Sequence, residues 1–358
     1  MNAVAVPDSD RPLISFVGYT RNDGYVQHFE RRLLLTTNAL ADQAQRFEVF
    51  VEFLIVEWNP PKGRPPIASL LPSANGNLFF SLRVVTVPPQ FHANFRGANE
   101  KGLHSVRALN VGYRRSRGKF ITPLASDVIL SDSIFSYISQ HGLNEKYVYR
   151  ADRIDVDEAI LEKLDIGVQK RPSLEVKLKA AQQHHNLPLD DDMVFHYGVL
   201  PLHTNASGDF LLMRRTMWHA LYGQPEKYGV ACLDADSIAL HAAVASGLTE
   251  KRLPVDCKVY KLAHRKMCRL RVQPHRPWFR YRLEKFINVV FVNRPLRALV
   301  RGTFDVPRRS VDGLQGDFAS FERNFVLKAR WWNWRKKQVR LSGKDWGLAR
   351  VELPEKYL

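Results

Sequence analysis

The feature that most constrains this chain is an alternation, repeated three times in its first 132 residues, of short apolar runs with segments of helical spacing. PLISFVGYTRND (12–23) reads as a buried strand leaving into a polar turn, and YVQHFERRLLLTTNALADQA (25–44) then sets Phe29, Leu33 and Leu40 on one helical face. FEVFVEFLIVEWNPP (47–61) is a second strand, stopped by two prolines. After a loop rich in Pro, Gly, Ser and Asn (60–77), LRVVTVPP (82–89) is a third. ANEKGLHSVRALNVGYRRSRG (98–118) places Leu103, Val106 and Tyr113 on one face and closes on arginines and a glycine, signals of a helix C-terminus. GKFITPLASDVILSD (118–132) is the fourth strand. The pattern predicts an α/β fold, a mostly parallel central sheet with helices on both faces. Such sheets bind ligands beyond the carboxyl ends of their strands. Arg21, Asn22, Asp23, Glu57, Asn59 and Asp127, just past those ends, are therefore expected to converge on one cleft.

Asp127 is the sharpest of these signals. A carboxylate at the end of a buried strand is costly to desolvate unless it is paired, hydrogen-bonded or bound to a cation. Asp127 must therefore have a partner: a metal ion, an arginine, or the backbone of a helix starting near Asp132.

Further along, YVYRADRIDV (147–156) reads as a strand, and residues 157–204, with weak periodicity, as an insertion or lid. NASGDFLLMRRTMWHALYGQPE (205–226) reads as a strand and a short helix, CLDADSIALHAAVASG (232–247) as a helix led by acids, and CKVYKLAHR (257–265) as a strand ending in His264. The chain is strongly basic, 53 Lys+Arg against 36 Asp+Glu for a formal charge of +17, and much of the excess lies in residues 251–310, with 17 against 3. Such a block favours polyanions: nucleic acid, anionic lipid headgroups or phosphorylated substrates. Three cysteines in 358 residues argue against a disulfide framework and for a reducing compartment. The N-terminal MNAVAVPDSDRP lacks the basic start and apolar run of a signal peptide, and FINVVFV (286–292) is far too short to span a bilayer. There is no GxxxxGK[ST], no GxGxxG after the first strand, no HExxH and no GxSxG. Cys257, His264 and Cys268 are too irregularly spaced for a zinc site.

The remaining pattern, acids at strand ends and helix starts with one late histidine, resembles the nucleotide-sugar glycosyltransferases of the GT-A fold, family-2-like. RND after the first strand is similar to that family's nucleotide-contact turn, and VEWNP to its nucleoside-binding acid. NEKGLHSVRALNVGYRRSRGKFITPLASD resembles its helix signature leading to the Asp-x-Asp acids; GDFLLMRRTMWHALYGQPE and LDADS resemble its acceptor-side strand and catalytic acid, and VYKLAH its late histidine. DWGLARVELPE (345–355) resembles the ending of one subset. Two departures stand out. Ala125 replaces the first Asp-x-Asp acid, and the usual Arg-Asn pair is separated into Arg107 and Asn110.

The resemblance implies a GT-A domain over 10–270 and a basic, aromatic-rich extension over 271–358. It implies transfer of a sugar, with inversion, from a nucleotide-diphosphate donor to a glycan or lipid-linked acceptor in surface-polysaccharide synthesis. Asp236, with Asp234 behind it, is the implied base, since a carboxylate at a helix start in the cleft can take the acceptor proton; N-capping is the plain alternative. The implied donor site comprises Thr20, Arg21, Asn22, Asp23, Glu57, Asn59, Arg107 and Asn110, with Glu57 and Asp23 on uracil or ribose. Gly208, Asp209 and Trp218 would meet the acceptor, unless Asp209 only turns the chain and Trp218 is core. Asp127 and His264 would hold Mn or Mg at the diphosphate. A cytoplasmic enzyme is expected, peripheral at the inner face of the membrane, docked on anionic lipid by Trp278, Phe279, Tyr281, Phe286, Phe291, Trp331, Trp332, Trp334 and the surrounding cations. The competing readings are a nucleic-acid-binding protein using the basic segment, disfavoured because no known nucleic-acid module is present, and an inactive GT-A scaffold.

Overall fold

The computed structural model describes residues 11–74, 76–95, 97–99, 102–163, 172–181, 207–226, 235–262 and 339–358. Its main sheet is built from β1 (Ile14–Thr20), β2 (Val51–Trp58), β3 (Phe80–Val87) and β4 (Phe120–Pro123), all parallel. A second group comprises β5 (Val128–Leu130), β6 (Tyr147–Arg150), β7 (Asp152–Val156), β8 (Met213–Arg214), β9 (Thr249–Arg252), β10 (Lys258–Leu262) and β11 (Glu355–Tyr357). β8 and β11 close the edges of the main sheet antiparallel, giving the order β11-β3-β2-β1-β4-β8. β5, β10 and β7 form a three-stranded sheet, and β6 pairs with β9.

The helices are α1 (Phe29–Phe47), α2 (Ile67–Leu70), α3 (Pro89–Ala93), α4 (Ser105–Arg115), α5 (Asp132–His141), α6 (Ile160–Lys163), α7 (Pro172–Ala180), α8 (Arg215–Leu221) and α9 (Ala235–Ala245). The period-two alternation of the strands divides the core between two faces. Phe16, Phe53, Ile55, Leu82 and Val84 pack with Leu33, Leu40 and Ala44 of α1. On the other face Leu54, Val56 and Val85 pack with Ala108 and Val111 of α4, while Val17 meets Leu109 and Tyr113 of the same helix. Gly112 permits that approach: a Cβ there would lie 2.2 Å from Val17 Cγ1. The mixed α/β class, with its mostly parallel sheet covered on both faces, is the one the alternation predicts.

Three expectations change. The runs 118–132 and 147–156, each read as one strand, are each two: β4 and β5 lie in different sheets, as do β6 and β7. The breaks fall at Leu124–Asp127 and Ala151, and the first of them turns Asp127 out of the main sheet. Within the expected insertion at 157–204, α6 and α7 are packed structure, with Leu161, Leu174 and Leu178 buried against Leu35, Ile129 and Tyr260. The last twenty residues belong to the main body, not to an extension. β11 joins β3, Trp346 is buried, and Arg115 donates to the carbonyls of Gly347, Leu348 and Val351. The basic residues read as a helix-end signal are thus the clasp for the C-terminal segment. Residues 263–338, with His264 and the aromatic positions from Trp278 to Trp334, lie outside the described residues. No helix among the described residues is long and apolar enough to cross a membrane.

Candidate active site

In the main sheet the strand order reverses between β1, which leads outward to β2 and β3, and β4 on its other side. Such a switch point opens a crevice at the carboxyl ends of the two strands, because their following connections leave in opposite directions. Tyr19 and Thr20 end β1 there, and the chain leaving β4 reaches Asp127. β8 runs antiparallel to β4, and the N–H of Leu211 donates to Thr122 Oγ1 at 3.1 Å. Asp209, two residues earlier, is thereby brought beyond the same end of β4.

The partner that Asp127 requires is Lys261. Its Nζ donates to Asp127 Oδ1 at 2.6 Å and to Asp209 Oδ1 at 3.2 Å. Asp209 Oδ2 accepts from Arg153 at 2.8 Å, and Arg153 also pairs with Asp155 at 3.1 Å. The result is a buried relay, Asp127–Lys261–Asp209–Arg153–Asp155, that ties β7 and β10 of the small sheet to the switch point. Burial alone would lower the Lys261 pKa, but Asp127 and Asp209 raise it, so the ammonium stays charged. Burial likewise penalises the Asp209 carboxylate, and Lys261 and Arg153 more than offset this, holding it below its ordinary range. Tyr19 faces the same group, and burial pushes its phenol up to about 12.

Asp236 lies in the first turn of α9, half-buried, with Ser207, two residues before Asp209, donating to its Oδ2 at 2.6 Å. A Cβ on Gly208 would sit 3.2 Å from that oxygen, so glycine keeps the approach to Asp236 open. Below them Arg150 is fully buried; desolvation lowers its pKa to about 10, against the pull of Asp236, Glu250 and Asp209.

On the β2 side of β1 the turn after Thr20 is built around Arg21. Its Nε donates to the carbonyl of Asn59 at 2.7 Å and its guanidinium pairs with Asp23 at 2.9 Å. Asn59, at a left-handed φ of 49°, donates from Nδ2 to Gly102 O at 2.9 Å. Gly102 lets the Arg21 guanidinium lie against the backbone: a Cβ there would fall 2.0 Å from its Nη1, so a side chain at 102 would push the guanidinium aside. Asn22 donates to Pro65 O at 3.0 Å, and Asp23 is exposed. This is a compact polar rim on a rigid strand end.

Several expected contacts are redirected by the structure. Glu57 is 1% exposed and uses both oxygens internally, accepting from the N–H of Ile67 at 2.9 Å and from Thr86 at 3.1 Å. It organises the loop after β2 and does not reach the cleft. Arg107 and Asn110 both serve Glu226: Arg107 pairs with it at 3.0 Å, and Asn110 Nδ2 donates to Glu226 Oε1 at 2.9 Å. Asn110 also accepts from the N–H of Gln224 at 2.7 Å, and the N–H of Gly347 donates to Glu226 Oε1 at 2.8 Å. These side chains knot α4 to the segment after α8 and to the C-terminus. Trp218 is fully buried, stacked on Tyr113 at 4.2 Å, with Nε1 donating to Ile121 O at 3.1 Å; it is core. Asp209 offers its oxygens to cations and not to an acceptor. Asp234 and His264 lie outside the described residues.

Lys261 is the residue that sequence reasoning passed over. The signal was present: a lone cation inside the apolar run VYKL is as costly to bury as a lone acid in PLASDVIL, and the two match.

No protein-family model matches the chain, and no curated protein does. Among solved structures the chain is similar to S. aureus TarS. Against TarS residues 1–349 the identity is 13% and the TM-score 0.48, covering 88% of this chain and 80% of that one. For the same TarS fragment in complex with UDP-GlcNAc the values are 14%, 0.45, 88% and 79%. For its complex with UDP they are 13%, 0.45, 88% and 80%.

Proposed function

We propose that this chain is a nucleotide-sugar glycosyltransferase of GT-A type, moving a sugar from a nucleoside-diphosphate donor to an acceptor hydroxyl. The observation that carries this reading is the meeting of Asp127, Lys261 and Asp209 at the β1/β4 switch point, with Asp236 bonded to Ser207, two residues before Asp209. A parallel sheet presents its ligand site there, and the chemistry calls for the groups found: charge to stabilise a departing diphosphate and a carboxylate to accept a proton. The order of the sequence motifs along the chain points the same way.

In this reading the nucleoside lies along the rim made by Thr20, Arg21, Asn22, Asp23 and Asn59. The diphosphate enters the crevice between β1 and β4. Asp236 accepts the proton of the acceptor hydroxyl as its oxygen attacks the anomeric carbon, and the bond from that carbon to the diphosphate oxygen breaks on the opposite face. The anomeric configuration inverts and the nucleoside diphosphate leaves with the bonding pair. Ser207 holds the carboxylate in place and Gly208 leaves room for the acceptor. The acceptor is a glycan or lipid-linked hydroxyl, and the basic segment docks the enzyme on an anionic membrane surface.

The test is a panel of nucleotide sugars scored for donor hydrolysis and transfer. The wild type is expected to turn over at least one. Asp236→Asn is expected to lose on the order of 10²-fold or more in kcat, the usual size of a general-base contribution, with nucleotide affinity retained. No turnover of any donor by the wild type, or an Asp236→Asn protein as active as the wild type, would refute the proposal.

A further inference from the structure

The GT-A reading brings with it the expectation of a divalent cation on Asp127 and His264; His264 lies outside the described residues, and among the described residues those around Asp127 do not fit one. Asp127 already gives one carboxylate oxygen, Oδ1, to Lys261 Nζ at 2.6 Å. That ammonium also donates to the second carboxylate, Asp209 Oδ1 at 3.2 Å, so it stands where an ion bridging the two acids would stand. The side chains of Lys261, Asp127 and Asp209 are each only 11–12% exposed. A divalent ion entering here would have to displace a buried ammonium from both its partners or share the space with it, and like charges at that separation repel. Where the family's first Asp-x-Asp acid would add an oxygen, the chain has Ala125. Among the described residues no group of three or more His, Cys, Asp or Glu is placed to hold an ion.

Resting on the donor site argued above, we propose that Lys261 is the resident cation of this crevice and that the chain binds its nucleoside-diphosphate donor without a divalent metal. The charge of the donor and of the departing diphosphate is met by a fixed ammonium, already oriented by Asp127 and Asp209, so no ion has to be recruited. Lys261 itself is carried on β10, whose pairing with β5 and β7 fixes its height above the sheet. The same geometry makes a converse statement. Removing the ammonium leaves two carboxylates facing one vacated position, the hard-oxygen arrangement that Mn or Mg prefers.

The experiment uses manganese alone, followed by the electron paramagnetic resonance signal of the free ion, on the full chain. Wild type should leave the signal undiminished, and Lys261→Ala should take up one ion per chain. If Lys261→Ala does not fold, Lys261→Ser, purified with manganese, then stripped and retitrated, makes the same comparison, because its short side chain also leaves the position vacant. One-per-chain uptake by the wild type that is lost in Asp127→Asn would overturn the proposal. So would a folded Lys261 variant that takes up no ion, because the ammonium would then not be holding a cation position. A second arm measures nucleoside-diphosphate affinity in EDTA and in manganese: agreement within about twofold supports the proposal, and a loss of tenfold or more in EDTA overturns it. Because the manganese arm contains no nucleotide, it reads the role of Lys261 even if the donor assignment fails in the other.

Discussion

Replacing Asp127 by Asn keeps the shape of the side chain and removes the charge that sits 2.6 Å from Lys261 Nζ. Breaking a buried ion pair by deleting one partner costs about 3–5 kcal/mol, because the remaining charge stays desolvated. Here Asp209 Oδ1, at 3.2 Å, still holds the ammonium, so the expected loss is smaller, about 2–3 kcal/mol. Lys261→Met, which strands two carboxylates, should cost more, about 3–5 kcal/mol. The double variant, Asp127→Asn with Lys261→Met, puts two neutral groups of similar size in contact and should be more stable than Lys261→Met alone, with a coupling energy of about 2 kcal/mol or more. Urea unfolding followed by tryptophan fluorescence measures all four corners of the cycle. Additivity within about 0.5 kcal/mol would show that the two groups do not interact, and would refute the identification of Lys261 as the partner that Asp127 requires.

Other consequences are quicker to check. His241, buried in α9 with its pKa lowered by desolvation to about 4, is neutral when folded and protonates near 6.5 when unfolded. The unfolded chain therefore binds the extra proton between those values, and stability contributed by the neutral ring is present above about pH 6.5 and falls as the pH drops toward 4. Lowering the pH from 7 to 5 should cost about 2 kcal/mol through this group, and His241→Leu should flatten that slope in urea titrations at the two pH values. Asn110→Ala removes the hydrogen bonds to Gln224 and Glu226; it should cost about 2–4 kcal/mol and expose 339–358 to limited proteolysis, while nucleotide affinity per folded molecule stays unchanged. Gly102→Val drives a side chain into the Arg21 guanidinium and should weaken nucleotide binding about tenfold or more with little change in unfolding midpoint, read by calorimetry and urea unfolding. Flotation with anionic vesicles should fall at high salt if the basic segment docks there. It should be tested by Lys and Arg to Gln changes within 263–301, since truncation after 270 would also remove β11 and Trp346.

The parallel core was legible because its signal is local and redundant. Strands such as Ile14–Thr20 and Val51–Trp58 are β-branched or aromatic at most positions, and α1 repeats its apolar residues at helical spacing. What the pattern concealed was where a run changes sheets. Leu124 to Asp127 and Ala151 look like strand interior in sequence, and only pairing with distant partners, β10 for β5 and β9 for β6, makes them breaks. The site divides along the same line. Asp127 and Asp236 announce themselves as acids at element ends, whereas the polar residues of α4 were given to the donor although Asn110 and Arg107 hold the chain's own Glu226. A side chain that recognises a ligand and one that clasps a remote loop have the same composition, and long-range contact alone separates them. Glu57 and Trp218 were displaced for the same reason, their partners being Ile67, Thr86 and Tyr113.

The central claim is that a nucleoside diphosphate binds at the β1/β4 switch point, and calorimetric titration of uridine, guanosine, cytidine, thymidine and adenosine diphosphates tests it most directly. One of the five should bind the wild type with a stoichiometry of one and a Kd of about 1 mM or tighter, the range of enzyme–substrate recognition. Its affinity should collapse in Gly208→Leu, which crowds Asp236, or Gly102→Val, which pushes aside Arg21. Binding of none of the five, or binding that both substitutions leave untouched, would contradict the account.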